Sequence, residues 1–423
     1  MYTYEVYLSI YSGHVVFNMG DLQTTRLHFV CGSYDGTVFA MSYEPAKGQE
    51  NGPSRLKAEF IDPEAHSGPV TALAVCGDTV ASGSGDEAVQ LFSVSQHHRM
   101  GCLEFHTGTI RHLIFADSRH LLSTGEDSCI AIWRCSESAK ITQNSHKWQC
   151  IRRMRRHKAP IRAMALHPSK RLAFSIADSE GDHTLRIWSL TRGRQAYTTR
   201  LRALNAEGAS NISVVKEGSH HFLLVQVATA TFHRLDILDL NHASHKAIFS
   251  ARFPVLLSHP PVVFHVDEDC IYLLVGIGSL LRAYKCQFGG SKMEAIAESR
   301  IQGKRFKFLK ALSSHENGKL ITMVTSDADG SYVRGYILDF EFIKAKSGDK
   351  SLPSLGLKPV FTYDVPGIRI TQADAVWTSP SEENEGEEII LQEVELDDDE
   401  ESDEPSDISV EEDLNGASGS DEN

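Results

Sequence analysis

The chain has 423 residues, 41% of them apolar and 23% charged, a globular composition long enough for one large or two ordinary domains. Its formal net charge of -14 is unevenly placed: residues 381–423 carry 20 Asp and Glu and no Lys or Arg, so the remainder holds 36 acids against 42 bases, about +6. The longest apolar run, CIYLLVGIGSLL, has 12 residues, too short to span a bilayer, and no Cys-x-x-Cys pair occurs among the 8 cysteines, which argues against a disulfide framework or a zinc site.

In chain order, residues 1–26 read as an N-terminal extension whose first 20 residues alternate well enough to be a strand, with two readings open: a strand against the first folded unit, or a poorly ordered stretch. It lacks the charged start and long apolar stretch of a signal peptide. LHFVCGSYDGTVFAMSY, residues 27–43, follows as a strand, an Asp-Gly turn at Asp35 and Gly36, and another strand, with no first strand before them.

Three segments then repeat, His66 to Phe92, His106 to Trp133 and His157 to Trp188. Each has a His, a short alternating strand, a second strand ending in Ser, a turn with Asp, and a third strand ending in an aromatic residue. These residue types can chain hydrogen bonds through a buried position, provided that every member is satisfied. The expected sets are His66, Ser82 and Asp86; His106, Ser123, Asp127 and Trp133; and His157, Ser175, Asp182 and Trp188. Phe92 cannot donate, so the first set is one bond shorter. His, Asp and Ser together also invite a hydrolase reading, but their recurrence by repeat assigns them to packing.

This pattern resembles the WD40-repeat family, which implies an all-β fold, a WD40 β-propeller. Weaker strand triplets at 211–240, 261–286 and 306–340 stay in phase by apolar alternation alone, and the units sum to seven blades. The last strand, in GIRITQADAVW at residues 367–377, has no blade of its own, whereas 27–43 lacks an inner strand. Joined, they complete a four-stranded blade and close the ring, which removes strand edges that invite aggregation. A seven-bladed propeller is thus expected over 27–377, closed by 367–377. Residues 378–423 are expected to be a disordered acidic tail, since a like-charge block cannot bury itself. Ser402, Ser406 and Ser409 lie among its acids, as acidic-directed kinases favour, and are candidate phosphorylation sites.

GSGDEA at 83–88 fits a dinucleotide fingerprint, but a strand follows where that fingerprint needs a helix. Cys129 and Cys135 are too far apart to hold one zinc. The scattered cysteines read as small buried thiols of a reducing compartment. No catalysis, cofactor or membrane partner is expected. The densest basic cluster is Arg152, Arg153, Arg155, Arg156 and Lys158, with Arg162 nearby. Three readings stand for it: a solvated edge that discourages strand pairing, a contact for RNA phosphate or an acidic partner, and a nuclear import signal.

The order of the units, with TLRIWSLTRGR and HPSKRLA as the most telling runs, further resembles the p21-activated kinase-interacting proteins and their fungal counterpart, a nucleolar factor of large-subunit assembly. The resemblance covers residues 27–377 and is strongest over 66–194. It implies a non-catalytic scaffold in the nucleolus or nucleus. Its partners would be ribosomal proteins and assembly factors of the 60S precursor, with rRNA held through the basic strip. The alternative it implies is a signalling adaptor that binds and negatively regulates p21-activated kinase. The acidic tail departs from the basic segments that many relatives carry; it would oppose RNA by covering the strip. RIWSLTR comes near a ligase substrate-receptor motif but carries Ser189 where an acid is expected.

Overall fold

The second strand of each repeat is apolar on both faces because both faces are covered. His120–Gly125 is buried at every position, and Cys270–Ile277 at all but the last. Outer strands such as His98–Glu104 and Arg194–Arg200 are mostly exposed and carry polar residues. These elements come from a computed structural model, which describes residues 26–44, 56–136, 147–217, 220–241, 247–253, 257, 259–313, 319–346 and 352–378. All belong to the first of two units of the chain, Met1–Gln392. The expectations for the first 25 residues and for the tail, with Ser402, Ser406 and Ser409, lie outside the described residues.

Seven antiparallel sheets of four strands form a seven-bladed β-propeller. Listed from the ring axis outward, blade 1 is Ile370–Thr378, Arg26–Ser33, Val38–Tyr43 and Lys57–Asp62, and blade 2 is Val70–Cys76, Thr79–Ser84, Ala88–Ser93 and His98–Glu104. Blade 3 is Ile110–Phe115, His120–Gly125, Ile130–Ser136 and Lys147–Met154, and blade 4 is Ile161–Leu166, Leu172–Ser179, Asp182–Ser189 and Arg194–Arg200. Blade 5 is Ala209–Glu217, His220–Ala228, His233–Asp239 and Phe249–Arg252, and blade 6 is Val262–Val266, Cys270–Ile277, Leu280–Gln287 and Met293–Arg300. Blade 7 is Arg305–Ser313, Lys319–Ser326, Gly330–Leu338 and Lys358–Pro366. Each inner strand neighbours the next around the axis, and the strand Ile370–Thr378 lies between those of blades 7 and 2.

Because every pairing is antiparallel, the links alternate between two rims. Links from an outer strand to the next inner strand, and turns between second and third strands, share what is here called the upper rim. The remaining turns form the lower rim. A separate apolar cluster fills each of the seven junctions between adjacent blades. Glycine permits the close approach at some of them: a Cβ at Gly83 would overlap Ile110 of the next blade, and one at Gly276 would overlap Phe306.

Each of the seven inner strands also carries a bulge near its upper end, at Thr71, Arg111, Arg162, Ser210, Phe264, Lys307 and Thr371. Bulges bend a strand and raise its twist, which suits strands that converge on an axis.

Several features were not foreseen. The triplets of blades 5 and 6 each gain a fourth, outer strand, and Phe340–Lys346 is an α-helix between the third and fourth strands of blade 7, whose outer strand was expected after Lys358. None of the eight cysteines forms a disulfide, but the expectation of buried thiols holds for only Cys31, Cys129, Cys270 and Cys286. Cys102 is exposed because it lies on the outer strand of blade 2.

Candidate nucleic-acid interface on the upper rim

The His of each strong repeat sits in an outer-to-inner link, and its Asp in the neighbouring second-to-third turn, so the sets meet at the upper rim. In blade 3, His106 Nδ1 lies 2.9 Å from Asp127 and Nε2 lies 2.7 Å from Ser123 Oγ, while Trp133 Nε1 donates to the same Oγ at 2.8 Å. In blade 4, His157 Nδ1 is 2.8 Å from Asp182, Nε2 is 2.7 Å from Ser175 Oγ, and Trp188 Nε1 donates to that Oγ at 2.7 Å. In blade 2, His66 meets Asp86 at 2.9 Å and Ser82 at 2.8 Å, with Phe92 in the aromatic place.

The bonding is directional. A carboxylate only accepts, so Nδ1 carries the proton; Nε2 then accepts from the Ser hydroxyl, whose oxygen accepts from Trp. Desolvation pushes His66 and His157 below their ordinary value, against the pull of their Asp partners. Burial works to raise the Asp182 pKa, but hydrogen bonds from His157, Thr184 and the Lys158 backbone outweigh it and bring it to about 2. The bonding order Asp–His–Ser is that of a hydrolytic relay, yet Ser82, Ser123 and Ser175 are 0% exposed, so no substrate reaches their hydroxyls. These sets pin the links; they do not perform chemistry.

The basic residues lie on and beside this frame, but not as one strip. Arg153 and Arg155 are exposed, and their guanidinium carbons stand 4.7 and 5.7 Å from the centre of the Phe105 ring, at the link between blades 2 and 3. Arg156 and Lys158 are exposed in the link that follows, where the Lys158 backbone N–H donates to Asp182 at 2.9 Å. Arg162, also exposed, is the bulge residue of blade 4's inner strand, and its carbonyl lies 2.7 Å from His112 Nε2 of blade 3. Arg152 goes elsewhere. It is half-buried against the turn at Gly193 in blade 4, where an added Cβ would collide with its guanidinium. Five cations therefore form an arc along blade 3, from its link with blade 2 to its junction with blade 4, and Arg152 packs on the turn at Gly193.

The sequence reading missed Phe105. Its only signal was an aromatic residue directly before His106, and nothing local indicates that two arginines of the next outer strand will stack on it. Among the described residues no group of three His, Cys, Asp or Glu is placed to hold a metal ion, and no helix is long and apolar enough to cross a membrane.

The family model for the WD domain, G-beta repeat, matches residues 98–134 and 148–189. Each match begins on the outer strand of one blade and ends on the third strand of the next, the same offset by which Ile370–Thr378 completes blade 1. The chain is 28% identical over 324 residues, covering 75% of it and 74% of the relative, to the p21-activated protein kinase-interacting protein 1-like protein of Gallus gallus. It is 32% identical over 189 residues, 45% of each, to the Danio rerio protein of that name, and 27% identical over 210 residues, 45% of it and 47% of the relative, to Protein MAK11 of Saccharomyces cerevisiae. With its matched repeats and its seven blades, the chain is a β-propeller that carries WD40 repeats, and it is similar to p21-activated protein kinase-interacting protein 1 and MAK11.

Proposed function

We propose that this propeller is a non-catalytic assembly scaffold of the large ribosomal subunit precursor, acting in the nucleolus and holding rRNA at the arc on its upper rim. The observation that carries the reading is the grouping of Arg153, Arg155, Arg156, Lys158 and Arg162, all exposed, across two adjacent blades. Such a group suits phosphate contacts, which release counterions and bind without reading sequence. The family resemblance supplies the ribosomal context, and ribosomal proteins and assembly factors would dock on the remaining surface.

The test is sucrose-gradient sedimentation of the tagged chain beside a variant with Arg153, Arg155, Arg156 and Lys158 replaced by Glu. The parent should travel with large-subunit precursors, and the variant should shift to light fractions with an unchanged circular-dichroism spectrum. A folded variant that still travels with precursors would overturn the arc as the contact.

A second reading is a kinase adaptor, favoured by relatives named p21-activated protein kinase-interacting protein 1 and Shk1 kinase-binding protein 15. On that reading the parent chain itself stays in light fractions.

A further inference from the structure

We propose that the upper rim at the junction of blades 7 and 1 is a second RNA contact, where Arg305, Lys307 and Arg369 hold phosphates and Tyr34 stacks a base of a single-stranded segment. The ligand class rests on the reading given for the arc, but no residue is shared with it.

Tyr34 lies in the turn between the second and third strands of blade 1, and is 56% exposed. Its backbone N–H donates to the Arg369 carbonyl at 2.8 Å, and the Arg369 guanidinium carbon stands 5.0 Å over its ring. The ring is thus held in place from one side and open on the other, although it covers no core. Arg369 and Arg305 are exposed. Lys307 is the bulge residue of blade 7's inner strand, the counterpart of Arg162 in blade 4.

None of these three cations has an ion-pair partner among the described residues. Burial, and after it the charges of Arg369 and Arg305, push the Lys307 ammonium down from its ordinary value, a cost that a bound anion would relieve. Of the acids in the neighbouring turns, Asp35 and Asp327 are engaged elsewhere, whereas Asp329 is exposed. Asp35 accepts from the Ser33 hydroxyl and the Thr37 backbone, and Asp327 accepts from Tyr332 and from the Asp329 backbone.

An open aromatic face beside three cations matches what a single strand offers, a free base next to phosphates. A duplex hides its base faces, and an acidic peptide would use the cations but leave the ring idle.

Fluorescence anisotropy of the full chain with a short pyrimidine-rich RNA tests this, with the same RNA in a duplex and a poly-glutamate peptide as competitors. Tyr34→Ala should weaken single-strand binding about five- to 150-fold, the range for one lost stack, and Tyr34→Phe should keep it. Changing Arg305, Lys307 and Arg369 together to Gln should lower the slope of log affinity against log salt by about 2. Parent-like binding by both the Ala and the triple variant overturns the inference, as does duplex or peptide that competes as well as the single strand. If these variants bind normally and only the Glu variant of the arc fails, the second contact falls and the arc stands. If the reverse is seen, the arc falls and the second contact stands.

Discussion

Each Asp–His–Ser set uses at least two buried polar groups, and in blade 4 three, to fix one link between blades, and it is stable only when complete. Asp127→Ala would leave His106 Nδ1 without an acceptor at a buried position. The expected loss is roughly 1–3 kcal/mol, read as a lower denaturation midpoint. Trp133→Phe removes only the last bond of that set, as Phe92 does naturally in blade 2, and should cost less, about 0.5–1.5 kcal/mol before any packing loss. The pH dependence has a definite sign. His66 and His157 hold fewer protons when folded than when unfolded, because their folded pKa lies below 6.5. Their contribution is complete above pH 6.5 and declines as pH falls below it. Asp182 acts in a lower window, since its contribution is complete above its ordinary 3.8 and is lost as pH falls toward about 2. Urea midpoints should therefore fall between about pH 7 and pH 5; a rise over that interval would contradict the assignment.

At the scale of single elements, the strand Ile370–Thr378 decides whether there is a ring. It pairs with Arg26–Ser33 from the far end of the chain, and the apolar cluster at that junction joins Phe29 to Phe308 and Phe361. Asp374 on this strand also accepts from Lys310 Nζ of blade 7 at 2.7 Å and from the Val75 backbone of blade 2 at 3.1 Å. One carboxylate thus ties the closing blade to both neighbours, and Asp374→Ala is expected to cost roughly 1–3 kcal/mol in chemical denaturation. Thr371 repeats the device with its hydroxyl on the Val70 carbonyl at 2.6 Å, as Thr71 does on Ile110. A chain ending after Lys358 lacks the last outer strand and the closing strand, and should aggregate or lose its cooperative transition. One ending after Pro380 should melt like the parent. Equal cooperativity in the two would mean that the ring does not depend on its closure.

For the whole molecule, charge sets the behaviour toward polyanions. Without residues 381–423 the chain changes from -14 to about +6. RNA should then bind more tightly at low salt, and the gain should fade as added salt shortens the screening length to about 3 Å near 1 M. Phosphates on Ser402, Ser406 and Ser409 would each add about 1.5–2 negative charges and act in the opposite direction. Anisotropy titrations across salt separate this field effect from loss of the arc, which lowers the salt slope itself. Tail removal that leaves low-salt affinity unchanged would rule the field effect out.

The repeats were legible because they are local. A His, a Ser, an Asp and an aromatic recur within each segment from His66 to Trp188, and the spacing alone exposes the pattern. The seven-bladed count and the ring also follow from sequence, because an unpaired strand at one end and a missing strand at the other leave one economical solution. The outer strands Phe249–Arg252 and Met293–Arg300 were not legible, since an exposed edge has little apolar alternation to show. Only the tertiary structure separated Arg152 from its neighbours, set Arg153 and Arg155 on Phe105, and brought Tyr34 to Arg369. The physical reason is closure itself. A propeller rim gathers turns from blades far apart in the chain, so its surface depends on the ring geometry, whereas the strands and buried hydrogen bonds depend on residues close in sequence.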